Sequence, residues 1–448
     1  MGAYLVFLSL GRKWRKEYEK KGEKYWKEPK EKRVKELTSD VWRPKLVAMS
    51  YFTAYFSNGF MKMAYSLWVP LFLINRGVSI FDAALFIGLS YVSWQWKMFI
   101  GMASDALKVK FRGKIYRRHP WFLVAGILGI AGSIMFMFVD PAKMPVWTVF
   151  FPITVIIIAG SAVFDLAADA YALDVVPPEF HARILGGVQT AGMAVGGIAG
   201  SMIPPLLINM WGYRSVLIVG GFTCALAFPF LLQPEPKLEQ ERIFGKHAIA
   251  FTFTEKTVLM ASLLMMGNAI GMSRITNPTG GMFSLIMNNV VAGITPELAG
   301  NIATISLLVG IPGSLIGGWA ADKLGHKRVY YITGIAAAIT GFLWVTLQTG
   351  MIVWFIILAT FSNFLERLST GGRMALMGDA TPLALSATVY QMYMSFSWIG
   401  NVPCSVIVGW LLPINLPLLM VFLSIVSFIP VVIAKWVKPF EAAKASKV

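Results

Sequence analysis

The chain is 448 residues long, 56% hydrophobic and 14% charged, with a mean hydropathy of +0.63. Soluble domains carry about a quarter charged residues, so this composition excludes an ordinary globular fold and indicates a polytopic α-helical membrane protein. The net charge of +17 does not imply nucleic acid, because the cations collect in the tails and in alternate loops.

The first ten residues, "MGAYLVFLSL", are apolar but short, and they precede a basic cluster instead of following one; no signal peptide is expected. Residues 11–45 hold fourteen Lys/Arg and seven Asp/Glu. Residues 1–45 therefore read as a cytoplasmic basic segment, suited to lying on anionic lipid headgroups before the first span. Twelve apolar stretches follow, at roughly 46–75, 80–104, 120–139, 145–173, 181–210, 213–233, 257–289, 296–321, 328–348, 350–377, 383–411 and 415–436. The expected fold is all-α: twelve transmembrane helices in two pseudo-symmetric six-helix bundles, 46–233 and 257–437. A cytoplasmic linker, 234–256, joins them, and 438–448 is a cytoplasmic tail. With the N-terminus in the cytoplasm, the tails and even-numbered loops hold 32 of the 40 basic residues, and the external loops hold three. Both termini are thus expected inside, in a cell membrane. Cys224 and Cys404 fall in apolar runs and read as free thiols.

The halves repeat. "GMASD" (101–105) ends span two and "GWAAD" (318–322) ends span eight, each before a basic loop. "GVSIFD" (77–82) and "GITPE" (293–297) both read as glycine, a Ser or Thr N-cap and an acid in the first turn. "DVVPPEFHA" (174–182) and "DATPLALSA" (379–387) share D-x-x-P-x4-A. A parallel repeat of this kind is a transporter architecture.

Charged residues inside the spans mark function, because they pair or line a watery cavity and seldom face lipid. Asp165 and Asp169 in span four are four apart and share a helical face. Two like carboxylates there are a candidate proton-coupling pair, with Glu366 of span ten as a third. Lys62, Lys97, Arg274, Arg367 and Arg373 supply five cations against those three acids, 5 − 3 = +2. That excess suits an anionic solute. Lys62, Lys97, Arg274 and Arg373 are the candidate substrate cations, with Trp94, Asn268, Asn363 and Gln391 as further contacts. The four histidines, His119, His181, His247 and His326, are dispersed over loops, and no P-loop occurs. Neither an enzyme, a metal site nor a cofactor is expected.

"GGWAADKLGHKR" (317–328) resembles the G-x-x-x-D-[RK]-x-G-[RK]-[RK] loop motif of the major facilitator superfamily, through Gly318, Asp322, Lys323, Gly325 and Lys327. In the first copy, Gly101 and Asp105 remain but the basic part is stretched into "ALKVKFRGKIYRR". Within that superfamily the chain resembles the AmpG-type muropeptide permease and acetyl-CoA transporter branch. Lys97 precedes the loop Asp by eight residues. Asp169, Ala170, Tyr171, Asp174, Pro177 and Arg183 follow a D-A-Y-x-x-D-x-x-P signature, and "SATVY" opens span eleven. Span seven departs, with Asn268 where that branch carries an acid. The resemblance implies a major facilitator fold. Gating is implied for Gly101, Asp105, Asp174, Arg183, Gly318, Asp322, Lys323, Arg328 and Asp379. The expected function is secondary active transport of a polar, anionic organic solute by alternating access, as a monomer in membrane lipid, with symport of protons or sodium. Two alternatives stand beside it. "RRHPWFLVAG" (117–126) resembles the glycoside and hexuronide cation symporters, and a transport-inactive assembly factor would share the fold.

Overall fold

The computed structural model describes residues 9–13, 15–16, 43–112, 114–140, 142–176, 184, 188–234, 246–291, 294–381 and 386–438. The helical stretches among them group into twelve spans: 44–75, 80–106, 119–138, 146–175, 189–211, 213–232, 256–290, 296–324, 326–346, 352–379, 386–411 and 416–436. Nine of the helices are long and apolar enough to cross a bilayer unaided. Their outward surfaces are greasy, with Leu206, Trp319 and Trp410 each more than half exposed, as a lipid-facing belt requires. The described lengths of span one, span two and span seven are assembled from shorter helices.

Local chemistry sets the span starts. Ser79 Oγ accepts the Asp82 amide at 3.0 Å, and Thr295 Oγ1 accepts that of Leu298 at 3.3 Å. Asp82 and Glu297 occupy the two first turns, where carboxylates complement the helix dipole. The repeated caps therefore form as expected.

Three features depart from the expected pattern. Span seven is broken: helix 256–270 stops at Gly271, a short turn holds Arg274, Asn277 is extended, and Gly281 takes φ +95° before helix 283–290. Span two pauses at Tyr91 and Trp96. The stretched loop after span two is not helical at all; Val109–Phe111 pairs antiparallel with Lys114–Tyr116. The linker also carries a helix, Lys246–Thr254, and the described N-terminal residues reach it through an ion pair of 3.2 Å from Arg15 to Glu255.

Small residues let backbones touch within each half. On span five Gly192, Gly196 and Gly200 face Phe52, Phe56 and Phe60 of span one, and a Cβ on Gly196 would sit 2.0 Å from the Phe56 carbonyl oxygen. On span eight Gly310, Gly313 and Gly317 pack against Asn363, Phe364 and Leu368 of span ten. Close approach of this kind supplies the dispersion energy that association in lipid depends on. Between the halves, spans five and eight meet through Ser201 and Thr304 hydroxyls at 2.6 Å and an Asn209 to Glu297 hydrogen bond of 2.7 Å. Spans two and eleven meet where the Met98 amide donates to Ser395 Oγ at 2.9 Å. Cys224 and Cys404 are free and buried.

Candidate functional site

In span one, Tyr51, Tyr55, Asn58 and Lys62 are spaced by four, three and four, so they form one stripe. In span four, Ser161, Asp165 and Asp169 form another. The two stripes face each other and sort the carboxylates. Asp165 takes the Lys97 ammonium on Oδ2 and Asn58 Nδ2 at 2.8 Å on Oδ1, while Ser161 Oγ donates to Asn58 Oδ1 at 2.6 Å. Asp169 accepts the hydroxyls of Tyr51, at 2.9 Å, and Tyr55 on Oδ1. Its Oδ2 accepts Gln391 Nε2 at 3.1 Å from span eleven, in the other half. Asp165 and Asp169 thus share a face but not an environment: one is balanced by a cation, the other by neutral donors alone. They remain two carboxylates on one helical face, distinguished by their direct partners. Lys97 pairs with Asp165, and the tyrosines of span one bond Asp169.

The cations gather around an aromatic pair. Trp94 of span two and Trp398 of span eleven lie 5.1 Å apart, and Tyr91 stacks on Trp398 at 4.3 Å. Lys62 Nζ sits 4.1 Å from the Trp94 ring centre, and Lys97 Nζ 4.5 Å from it. The Arg274 guanidinium covers Trp398 at 4.4 Å and donates to the Ser397 carbonyl at 3.1 Å. Trp94 is buried, with no partner for its indole Nε1 among the described residues. Cation–π contacts of this kind are strongest where water is excluded. Lys62, Arg274 and Arg367 make no ion pair among the described residues; Arg367 reaches Asn277 at 3.4 Å.

The C-terminal half holds its own cluster. Arg373 binds Glu366 at 2.9 Å and Thr370 at 3.0 Å, leaving its buried Nε and Nη1 without a described partner. Beside it a cavity of about 30 Å3 is lined by Asn268, Ser273, Tyr330, Ser362, Glu366 and Ser369. That is space for ordered water, not for an organic solute. Asn268 bonds Ser273 at 3.2 Å, and Asn363 donates to the Ser306 carbonyl at 2.6 Å in the contact between spans eight and ten.

The residues considered for gating are dispersed. Arg183 and the side chains of Asp105 and Asp174 lie outside the described residues. Gly101 is buried in span two. Asp322 faces His326 at 3.8 Å, and Asp379 holds the same ring at 2.7 Å, so this triad ties spans eight, nine and ten of one half together. The described contacts of Asp322 therefore do not bridge the bundles. Lys323 lies over Trp319 of its own helix at 4.6 Å, and Arg328 is exposed. Gly318 has open space where a Cβ would go; its neighbour Gly317 makes the close approach. Among the described residues no group of three His, Cys, Asp or Glu side chains is arranged to hold a metal ion.

Tyr51, Tyr55, Asn277 and Trp398 belong to this network and are not among the residues expected from the sequence. The 4-3-4 spacing on span one carried the signal for the tyrosines. The run N-P-T-G-G at 277–281 marked a turn inside an apolar stretch.

Residues 97–287 match the family model for the Major Facilitator Superfamily. A protein of Rickettsia felis named putative transporter AmpG 4 is 23% identical over 365 residues, covering 76% of this chain and 84% of that protein. Its namesake in Rickettsia conorii is 23% identical over 357 residues, with the same coverage. Among solved structures, a D-xylose-proton symporter superposes with a TM-score of 0.62 at 15% identity, covering 88% of this chain and 96% of its own. The nucleoside transporter NupG superposes at 0.60 with 12% identity, covering 88% and 100%. The loop motif after span eight, the repeated halves, the family model matched over 97–287 and the shared fold agree, and in all of them the chain is similar to the major facilitator superfamily of membrane transporters.

Proposed function

We propose that the chain is a secondary active transporter for a polar, anionic organic solute, working by alternating access with a proton as the coupling ion. One observation carries this reading. Lys62 and Arg274, from opposite halves, flank the Trp94–Trp398 pair without carboxylate partners, while Asp169 beside them is held by neutral donors from both halves. Unbalanced cations in a dry seam favour an anion. A carboxylate without a cation is the group best able to take up and release a proton. Lys97 and Arg373 are already balanced by Asp165 and Glu366, so in this reading they shape the seam and do not grip the solute. The proton coupling that the xylose symporter's name states for that protein is compatible with this assignment. The bias of basic residues further supports termini in the cytoplasm of a cell membrane.

Reconstitution in liposomes tests it. Uptake of an organic anion should follow an imposed pH gradient and be lost or uncoupled in Asp169→Asn. Lys62→Gln and Arg274→Gln should each weaken apparent affinity about tenfold, the loss expected for one charge-assisted hydrogen bond of about 1.5 kcal/mol. Uptake driven by sodium and indifferent to pH would overturn the proton assignment. Undiminished uptake of a neutral sugar by both cation variants would overturn the anion assignment and favour the hexuronide-type sugar symporters' chemistry.

A further inference from the structure

The loop between spans two and three reads L-K-V-K-F-R-G-K-I-Y over 107–116. Apolar and basic residues alternate with a period of two, the pattern of a strand with two unlike faces. The structure pairs Val109 with Tyr116, Lys110 with Ile115 and Phe111 with Lys114, so the second strand brings Tyr116 and Lys114 to the face of Val109 and Phe111, and Ile115 to that of Lys110. Leu107, Val109 and Phe111 share one face and are 55%, 45% and 59% exposed. Lys108 and Lys110 share the other, Arg112 at the turn reaches over the Phe111 ring at 5.4 Å, and all three are exposed. No acidic residue occurs between 107 and 116, and none of Lys108, Lys110, Arg112 or Lys114 makes an ion pair among the described residues.

An isolated two-stranded hairpin is marginal in water, and an exposed apolar strand face is an aggregation hazard there. This hairpin is not in bulk water. Span two ends at Ala106 and span three begins at His119, so each strand starts or ends three residues from a span. At most about 3.6 Å per residue, the open end of the hairpin stays within about 11 Å of the span ends and its turn within about 22 Å, in reach of the bilayer surface. That is where an apolar face can enter the boundary of the acyl chains while cations meet phosphates.

We infer that residues 107–112 and 114–116 form a binding surface for anionic phospholipid headgroups on the face of the membrane that carries residues 43 and 438. Val109 and Phe111 are the wedge, Lys114 on their face extends its ammonium from the apolar boundary to the phosphates, and Lys108, Lys110 and Arg112 complete the headgroup contacts. The hairpin is continuous with the part of span two that packs on span eleven at Met98 and Ser395. Lipid bound here therefore holds the end of a helix that lies in the seam between the halves.

The test uses the full chain in lipid nanodiscs. A nitroxide placed by Val109→Cys should be more accessible to oxygen than to an aqueous nickel complex, and more so when phosphatidylglycerol replaces part of the phosphatidylcholine. Native mass spectrometry should show phosphatidylglycerol retained by the wild type. Combined Lys108→Gln, Lys110→Gln, Arg112→Gln and Lys114→Gln should lower that retention, by about fivefold per cation removed. Lys143→Gln, on the opposite face, should not. Equal retention by the wild type and the fourfold variant overturns the proposal. So does a nitroxide exposed to water in both lipids, or protection that scales with copies of the chain per disc, which would assign the face to a second copy. Should the fourfold variant fail to fold, the nitroxide comparison between the two lipids still decides.

Discussion

At the scale of the residue, the interior is organised by who balances whom. Lys97 is fully buried and bound to Asp165. Removing one partner of such a pair leaves a bare charge in a dry place, which costs about 3–5 kcal/mol, whereas replacing both by apolar groups is often neutral. Lys97→Met should therefore lower the melting temperature of the purified protein sharply, and Lys97→Met with Asp165→Met should recover most of the loss. A double variant as unstable as the single one would mean that Lys97 acts through something other than Asp165. The presence of these charges was legible in the sequence, because each interrupts an apolar run and costs energy there. Their pairing was not. Helical spacing puts Asp165 and Asp169 on one face, but it is silent about which span stands opposite that face. Tyr51 and Tyr55 show how a polar ligand for a carboxylate can pass for apolar filling.

At the scale of the element, close helix contacts fall on particular glycines, and neighbouring ones differ. A Cβ on Gly196 would meet the Phe56 carbonyl oxygen at 2.0 Å, and one on Gly317 the Leu368 carbonyl oxygen at 2.2 Å, whereas one on Gly318 meets nothing within 4 Å. Gly196→Ala should destabilise by about 1–3 kcal/mol, as overpacking does. Gly318→Ala should be neutral or stabilising by up to about 1 kcal/mol, since alanine is the better helix former. Thermal melts of the two variants in one detergent compare them directly; a larger loss at Gly318 would contradict the contact geometry. Span number, span limits and the Ser79 and Thr295 caps were readable because hydropathy and capping are local. The break in span seven was spelled out by Asn277, Pro278, Gly280 and Gly281, yet a window wide enough to detect a span averages over those residues. The hairpin after span two was hidden in the same way, by reading its cations as a loop motif stretched out and not as a strand pattern.

At the scale of the molecule, Gln391 ties span eleven to Asp169 of span four, and the glycine contacts make spans one with five, and eight with ten, rigid pairs. Gln391→Leu should loosen the seam and leave the halves intact. Spin labels at Lys45 and Lys256, where spans one and seven begin, should report longer distances in the variant than in the wild type. Labels at Lys256 and Lys323, both in the C-terminal half, should report the same distance in each. Unchanged distances between Lys45 and Lys256 would show that the amide does not hold the seam. The cations left without carboxylates also have an electrical consequence. With Asp165, Asp169 and Glu366 ionised, the five interior cations leave a balance of 5 − 3 = +2, and moving one elementary charge through the whole membrane potential is worth about 2.3 kcal/mol per 100 mV. If the chain works by the alternating access proposed above, the empty carrier drags part of that charge through the field when its access barrier shifts past these groups, and a bound divalent anion would cancel it. In the proposed cycle voltage would thus act on the return of the empty protein and spare the loaded one, and in an energised membrane the resting orientation would be set by Lys62, Arg274 and Arg367 before any solute arrives.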